Sequence, residues 1–273
     1  MSDPVVVHGM SDADYHADPA LSSTGAKLLL DCPARYRHAM DHPQQADTDA
    51  FRVGRAVHAL VLGAGAEVVD VGPSLTTKAA KEKRDQAITD GHTWLRSGDY
   101  EAAHAMAAKV LAEPRAAAAL TRGEAEVSVW ATDPTTGVRM RARPDYMRPG
   151  LVVDLKTTAA PASRDSFALE AGKRDYHLSA AFYLHVLSLA GLADEATVFL
   201  HVVVEKQAPY LVNVVQLDVE ALAAGRGRTD AALRRFADCT AAGSWPGYES
   251  DHIPLVGLRP WHLHTPDDEG DDL

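Results

Sequence analysis

The feature that most limits what this chain can fold into is an apolar run ending in two ionisable residues: Leu151-Val152-Val153 leads directly into Asp154-Leu155-Lys156. Side chains two apart share one face of a strand, so Asp154 and Lys156 are expected to project together. An aliphatic lead-in is the pattern of a strand buried on both faces, where an ionisable pair is costly unless it has a task. Upstream, the stretch from Arg139 to Arg148 alternates as a strand, and Pro149-Gly150 supplies a turn. Folding back on that turn brings Asp145 toward the pair, although the two acids are nine positions apart in the chain. The competing outcome is an exposed cross-strand ion pair, worth under about 1 kcal/mol.

Two carboxylates and an ammonium converging on one space have a definite chemistry. A hard divalent cation such as Mg²⁺ takes a few carboxylate oxygens together with water and substrate phosphate, and a lysine beside it can orient, or take a proton from, the attacking water. The literal string is Pro144-Asp145, eight residues, then Asp154-Leu155-Lys156. That is the PD-(D/E)xK signature, and it resembles the nuclease superfamily of that name.

The 273 residues are enough for one large core with a helical insertion. We expect a single domain over 1–262, an insertion at about 76–122, and a disordered acidic tail over 263–273. Two cysteines, Cys32 and Cys239, fit a reducing cytosol and cannot make a four-cysteine iron-sulfur or zinc site. The first residues carry acids and no basic stretch before an apolar one, and nowhere do 18 uncharged apolar residues run together, so a cytoplasmic protein without a membrane partner is expected. The net charge of -11 argues against a generic nucleic-acid binder. The distribution matters more than the sum, because five acids crowd into the tail while the basic residues cluster.

In chain order, Leu21-Ser22-Ser23-Thr24 opens a capped helix that Pro33 ends. The segment FRVGRAVHALVLG is helical and apolar, with Gly54 four residues before His58. Residues 76 to 122 read as two helices with a polar link; Lys78, Lys81, Lys83 and Arg84 fall within two turns, and the segment is either a solvated hairpin or a lid whose basic face guides DNA. GEAEVSVWATDPTTGVRMRARPDYM then alternates as a hairpin around D-P-T-T-G. Glu126 shares a face with Ser128 and Trp130 and is preferred over Glu124 as a further acid at the site, because it is placed inside the strand. Arg139, Arg141 and Arg143 also share a face, as a phosphate clamp or as simple surface charge. KRDYHLSAAFYLHVLSLAG is an amphipathic helix on which Ser179 and Tyr183 lie four apart. A strand hairpin and a helix from Val219 to Ala242 follow. The order implies an α/β fold with a central mixed β-sheet flanked by helices.

Together LSSTGAKLLLDCPARY, G-x-A-V-H at 54–58, E-V-S-V-W at 126–130, R-P-D at 143–145, D-L-K-T-T at 154–158, D-Y-H-L-x-A-A-F-Y at 175–183 and W-P-G-Y at 245–248 resemble the RecE-like (exonuclease VIII type) family of RecB-like nucleases over roughly residues 12 to 262. The resemblance implies a Mg²⁺-dependent exodeoxyribonuclease working 5′ to 3′ on double-stranded DNA ends in phage-type recombination, in a homo-oligomeric ring, with a RecT-like single-strand annealing protein. It implies that Asp145, Asp154, the Leu155 carbonyl, His58 and Glu126 surround one or two Mg²⁺ ions per active site, with Mn²⁺ as the alternative, and that Lys156 and Tyr183 serve catalysis. One departure stands out: the family's Q-x-x-x-Y helix would place glutamine where this chain has Ser179, leaving His177 or a water to substitute in contacting the DNA end. The competing expectations are a RecB-like single-strand nuclease of the CRISPR-adaptation type, which commonly carries four cluster-binding cysteines, and a catalytically silent DNA-binding module.

Overall fold

The computed structural model describes residues 3–42, 48–248 and 253–259, so the acidic tail expected over 263–273 lies outside the described residues. A short strand β1 (Val5–Val7) leads to helix α1 (Asp12–Ala17), capped by the Ser11 hydroxyl. Ser22 accepts from the Gly25 amide at 3.1 Å to start α2 (Ser23–Asp31), and Pro33 at the first turn of α3 (Pro33–Asp41) ends it. Helix α4 (Asp49–Leu62) begins on the Thr48 cap and closes on Gly63 in the left-handed region.

The next segment differs from the two linked helices expected over 76–122. Between β2 (Val68–Asp70) and α6 (Ser97–Ala112) lie α5 (Lys78–Thr89) and a strand β3 (Thr93–Leu95), and α7 (Pro114–Ala119) follows. β3 pairs in parallel with β2, from Val68 opposite Thr93 to Asp70 opposite Leu95. Three residues are too short a run to show a strand period between two helices. Nor is α6 part of a lid. Its Ala103, Met106 and Val110 are buried against Val57 of α4 and against Leu155 and Val202 of the main sheet. Only α5 keeps the solvated character expected, with Ala87 its one buried residue.

The strands follow as β4 (Glu124–Ala125), β5 (Ser128–Thr132), β6 (Arg139–Ala142), β7 (Tyr146–Arg148) and β8 (Leu151–Thr158); helices α8 (Arg164–Lys173) and α9 (Tyr176–Leu189) cross over to β9 (Val198–Glu205), then β10 (Val212–Gln216) and α10 (Val219–Ala242). The main sheet has the order β10-β9-β8-β7-β4, with β8 parallel to β9 and the other pairs antiparallel. A second sheet has the order β1-β5-β6. The strand expected to run unbroken from Arg139 to Arg148 is therefore two strands in two sheets. Pro144 lies at the break, where its missing N–H cannot serve a ladder. The turn beyond forms as its residues require: Gly150 has φ +77°, as the residue after proline does in a type II turn, and Arg148 pairs with Leu151.

Strand β8 is covered on both sides. Val152 points into a core with Leu29, Leu178, Phe182 and Leu233 of α2, α9 and α10, whereas Leu151, Val153 and Leu155 point into the core built with α4 and α6. The layers are those of an α/β fold with helices on both faces of a mixed sheet. No helix among the described residues is long and apolar enough to cross a membrane.

Candidate active site

The site lies where the main sheet splits. Pairing of β7 with β8 ends at Tyr146 opposite Val153, while β8 continues to Thr158 held by β9 alone. The next amide on the vacated side is that of Leu155. It donates to Asp145 Oδ2 at 2.6 Å, so the carboxylate takes the place of the departed strand. A residue's N–H and C=O leave a strand on the same side, which turns the Leu155 carbonyl toward Asp145 as well. One residue to either side, Asp154 and Lys156 share a face, with Lys156 Nζ 2.5 Å from Asp154 Oδ2. Helix α4 crosses this strand closely: a Cβ added to Gly54 would lie 3.5 Å from Thr157 Oγ1. One turn further on, His58 Nδ1 lies 3.6 Å from Asp145 Oδ1.

The charges hold one another in their ionised forms. Burial works against the Lys156 ammonium, but Asp154 and Asp145 outweigh it and keep its pKa above the usual lysine value. Burial likewise opposes the Asp145 carboxylate, yet His58, Lys156 and the Leu155 amide carry its pKa below the usual range. His58 is raised, the pull of Asp145 exceeding the cost of burial.

Glu126 is also in this neighbourhood, though not for the reason expected. It is in no strand: it sits between β4 and β5 at φ +52°, and its amide donates to the Asp145 carbonyl at 3.1 Å. Burial, then Asp12, raises its pKa, with Asp145 adding to the rise and Arg143 and His58 opposing it. Glu124 instead turns to the surface and to His8 Nδ1, 2.6 Å away. Tyr183 of α9 is half-buried beside Ser23 and packs edge-on against Phe199. Burial drives its pKa far above the usual tyrosine value, with Tyr15, Asp154 and Asp145 adding to the effect, so it is a phenol and never a base.

The arginine clamp does not form. Arg139 is exposed at the end of β6. Arg141 is 5% exposed, stacked 4.8 Å from the Tyr15 ring centroid and donating to the Tyr15 carbonyl. Arg143 donates to Ser128 Oγ and Asp12 Oδ1, both at 2.8 Å, and to the Met10 carbonyl at 3.2 Å. The parity placing these residues on one face was right, but α1 and its Tyr15 cover that face. Arg143→Ala is accordingly expected to lower stability by about 2–3 kcal/mol as its charged hydrogen bonds are removed, read as a shifted urea midpoint at unchanged slope.

Two of the four basic residues of α5 are matched by acids on their own helix, Lys78 with Glu82 at 3.6 Å and Arg84 with Asp85 at 2.6 Å. Lys81 and Lys83 are exposed. Ser179 is half-buried one turn before Tyr183, and no side-chain hydrogen bond joins it to the acids. His177 does not replace the missing glutamine either, since its Nε2 turns to Asp175 at 3.8 Å.

Two site residues, His201 and Tyr176, were given no role in the sequence reading, whereas Lys27 was read as a cation that could touch backbone phosphate. His201 stands opposite Asp154 across the parallel pair, 1% exposed, with Nε2 3.8 Å from Asp154 Oδ2. Burial lowers its pKa to about 4, so it is a neutral imidazole. A lone histidine inside the apolar run VFLHVVV was the available signal. Tyr176 was harder to see. The Tyr176 ring has Lys156 Nζ at 5.5 Å and Lys27 Nζ at 5.6 Å from its centroid, a meeting of α9, β8 and α2 that no spacing encodes.

Among the described residues no three His, Cys, Asp or Glu side chains converge closely enough to hold a metal by themselves. The donors that do converge are Asp145, Asp154 and the Leu155 carbonyl, with His58 behind Asp145. An all-oxygen set with room for water and phosphate fits a hard divalent cation of the Mg²⁺ kind rather than a soft one.

A D-x-K strand beside a split in a mixed sheet, with the first acid capping the split and helices on both faces, is the arrangement of the PD-(D/E)xK nuclease superfamily. Residues 22–256 match the family described as a PDDEXK-like domain of unknown function, DUF3799, and the chain belongs to that family. Its fold is similar to the crystal structure of a protein from Eubacterium rectale described as a candidate exonuclease, with a TM-score of 0.64 and 14% identity over 95% of this chain and 100% of that one. The structure of SSO0001 is more distant, with a TM-score of 0.28 and 12% identity over 83% of this chain and 88% of that one. No curated protein matches the sequence.

Proposed function

We propose that this chain is a metal-dependent exodeoxyribonuclease that resects linear double-stranded DNA from 5′ ends, as the RecE-like resemblance implies. The observation that carries the reading is the split-sheet site itself, in which Asp145 caps the Leu155 amide while Asp154 and Lys156 face one another on the residues to either side. A structural ion pair would need neither the break at Pro144 nor the second carboxylate.

Asp145, Asp154 and the Leu155 carbonyl would hold a divalent ion, with His58 and Glu126 bordering it. When bound, such an ion lowers the pKa of water and offsets charge on the scissile phosphate. The chain's own residues supply position. Lys156, kept protonated by its two acids, donates a hydrogen bond that aims the attacking water and balances charge at the phosphate. His58 fixes the orientation of Asp145. Tyr183 offers a phenolic hydroxyl to the DNA backbone without exchanging its proton.

In the same reading α5 borders the path of the duplex through Lys81 and Lys83. Replacing both with alanine is expected to flatten the slope of log affinity against log salt by about 0.9 for each phosphate that is no longer neutralised, and an unchanged slope would return α5 to a solvated helix. A cyclic homo-oligomer would let modest basic strips surround DNA despite the charge of -11, and a single-strand annealing protein would take up the exposed strand. Digestion of a blunt linear duplex, a closed circle and a single strand, each with Mg²⁺ and with chelator, tests the reading. Loss of the linear duplex alone, and only with metal, is the expected result. Preference for the single strand would favour the CRISPR-adaptation class, and no digestion of any substrate would leave a binding module.

A further inference from the structure

Beside Lys156 opens a cavity of about 310 Å³ between α4, β8, α8 and the start of α9. That is the lower end of small-molecule pockets, enough for one nucleotide and too small for a duplex. Buried Phe167 and Val203 form part of its wall. Around it stand Lys156, Arg174 and Lys206, the hydroxyl of Thr158, and the rings of Phe51 and Tyr176.

Its charge is unbalanced, in a protein of net charge -11. Among the described residues the lining carries one carboxylate, Glu170, and that is held by Arg174 Nε at 2.5 Å. That bond uses the Nε of Arg174 and not its two terminal nitrogens. Among the described residues Lys206 Nζ donates to the Ala50 carbonyl alone, at 3.3 Å. Behind the Tyr176 ring, Lys27 donates to the Arg174 carbonyl at 2.8 Å. The cations press on one another: burial and then Lys156 push the Lys27 pKa down to about 8, and burial and then Arg174 lower that of Lys206. Such a cluster gains most from an anion of more than one charge.

We propose that this cavity receives the terminal nucleotide of a DNA strand, with its phosphate monoester against Arg174 and Lys206 and its base between Phe51 and Tyr176. The inference rests on the nuclease reading and gives it an end-recognition site. An internal diester carries one negative charge, whereas a terminal monoester carries about -1.5 to -2 at neutral pH, which matches the two cations beyond Lys156. Flat rings accept any base by stacking, so the seat selects for the phosphate and not for sequence. A terminus read 5′ to 3′ makes that group a 5′-phosphate.

Two measurements test this on the full chain. In metal-free buffer, calorimetry with 5′-dAMP and with deoxyadenosine should show the nucleotide bound at least ten-fold more tightly, and the Arg174→Ala/Lys206→Ala double variant, checked for an unchanged circular dichroism spectrum, should lose the difference. On duplexes with one end closed by a hairpin and the other bearing 5′-phosphate, 5′-hydroxyl or 3′-phosphate, kcat/KM should favour the 5′-phosphate at least ten-fold over the 5′-hydroxyl, and the double variant should bring that ratio toward one. Equal binding of nucleotide and nucleoside would overturn the proposal, as would an end preference that survives the double substitution. Selective dAMP binding without any end preference would overturn the assignment to a strand terminus. Selective dAMP binding with no DNA cleaved would instead remove the nuclease reading and the strand end with it, leaving a nucleotide pocket. Cleavage indifferent to every end group, with nucleotide and nucleoside bound alike, would remove the pocket and leave the nuclease.

Discussion

Asp145→Asn, Asp154→Asn and Lys156→Met are each expected to lower DNA cleavage by a factor of about 10²–10⁴, the range seen when a group that handles the reacting proton or its water is removed. The reason for asparagine is structural. At position 145 its amide oxygen can still accept from the Leu155 amide, a bond of 2.6 Å in this structure, so the strand split stays capped while the charge goes. At 154 the shape is kept while the charge that attracts Lys156 and a metal ion disappears. Both asparagine variants should also weaken Mn²⁺ binding by calorimetry, whereas Lys156→Met should not. Single-turnover cleavage by any one of the three at the wild-type rate would remove the site assignment. A thermal midpoint close to the wild type is the control that separates impaired chemistry from impaired folding.

Gly225→Ala should produce the largest loss of stability from a single added methyl. A Cβ there would lie 2.1 Å from the His177 carbonyl oxygen and 2.7 Å from its carbon. Both are backbone atoms at the start of α9, so no rotamer change relieves the clash and α9 and α10 must separate. Overpacking of this kind costs about 1–3 kcal/mol, and the rigid contact puts it at the upper end, or roughly 6–12 °C in Tm for a chain of this size. Gly227→Ala is the matched comparison. It lies two residues on in the same helix, its Cβ would meet nothing within 4 Å, and replacing glycine in a helix should raise stability by about 0.5–1 kcal/mol. Equal midpoints for the two variants would show that the crossing is looser than described. Since α9 also carries Tyr176 and Tyr183, Gly225→Ala should disturb the site from a distance, which cleavage by the refolded variant would reveal.

Much of the local order could be read from residues alone. The caps at Ser22 and the turn at Pro149-Gly150 appear where expected, and the last helix spans Val219 to Ala242 as predicted. These features are governed by groups within a few residues of one another. The D-x-K face followed from the two-residue strand period, and the likeness of Gly54 and His58 to a RecB-type motif placed His58 near Asp145, where the crossing of α4 over β8 puts it. Errors arose where a local pattern was asked about distant partners. The parity of Arg139, Arg141 and Arg143 was correct and its meaning was not, because α1, more than a hundred residues earlier, covers that face. Glu126 came near the site through a left-handed residue between two strands, a break that alternating sequence conceals.

By itself, then, the sequence determined which residues could do chemistry and in what order they came: two acids and a lysine, set on a strand too apolar to carry charge without purpose. Tertiary structure decided which cations line an open cavity and which are sealed into the fold. Arg141 and Arg143 went to the interior and Arg174 and Lys206 to the cavity beside Lys156, with Lys27 against the Tyr176 ring. The physical reason is that periodicity fixes only the side of an element on which a residue lies. Whether that side meets water, a ligand or another helix depends on packing between segments far apart in the chain, and no single stretch of sequence contains it.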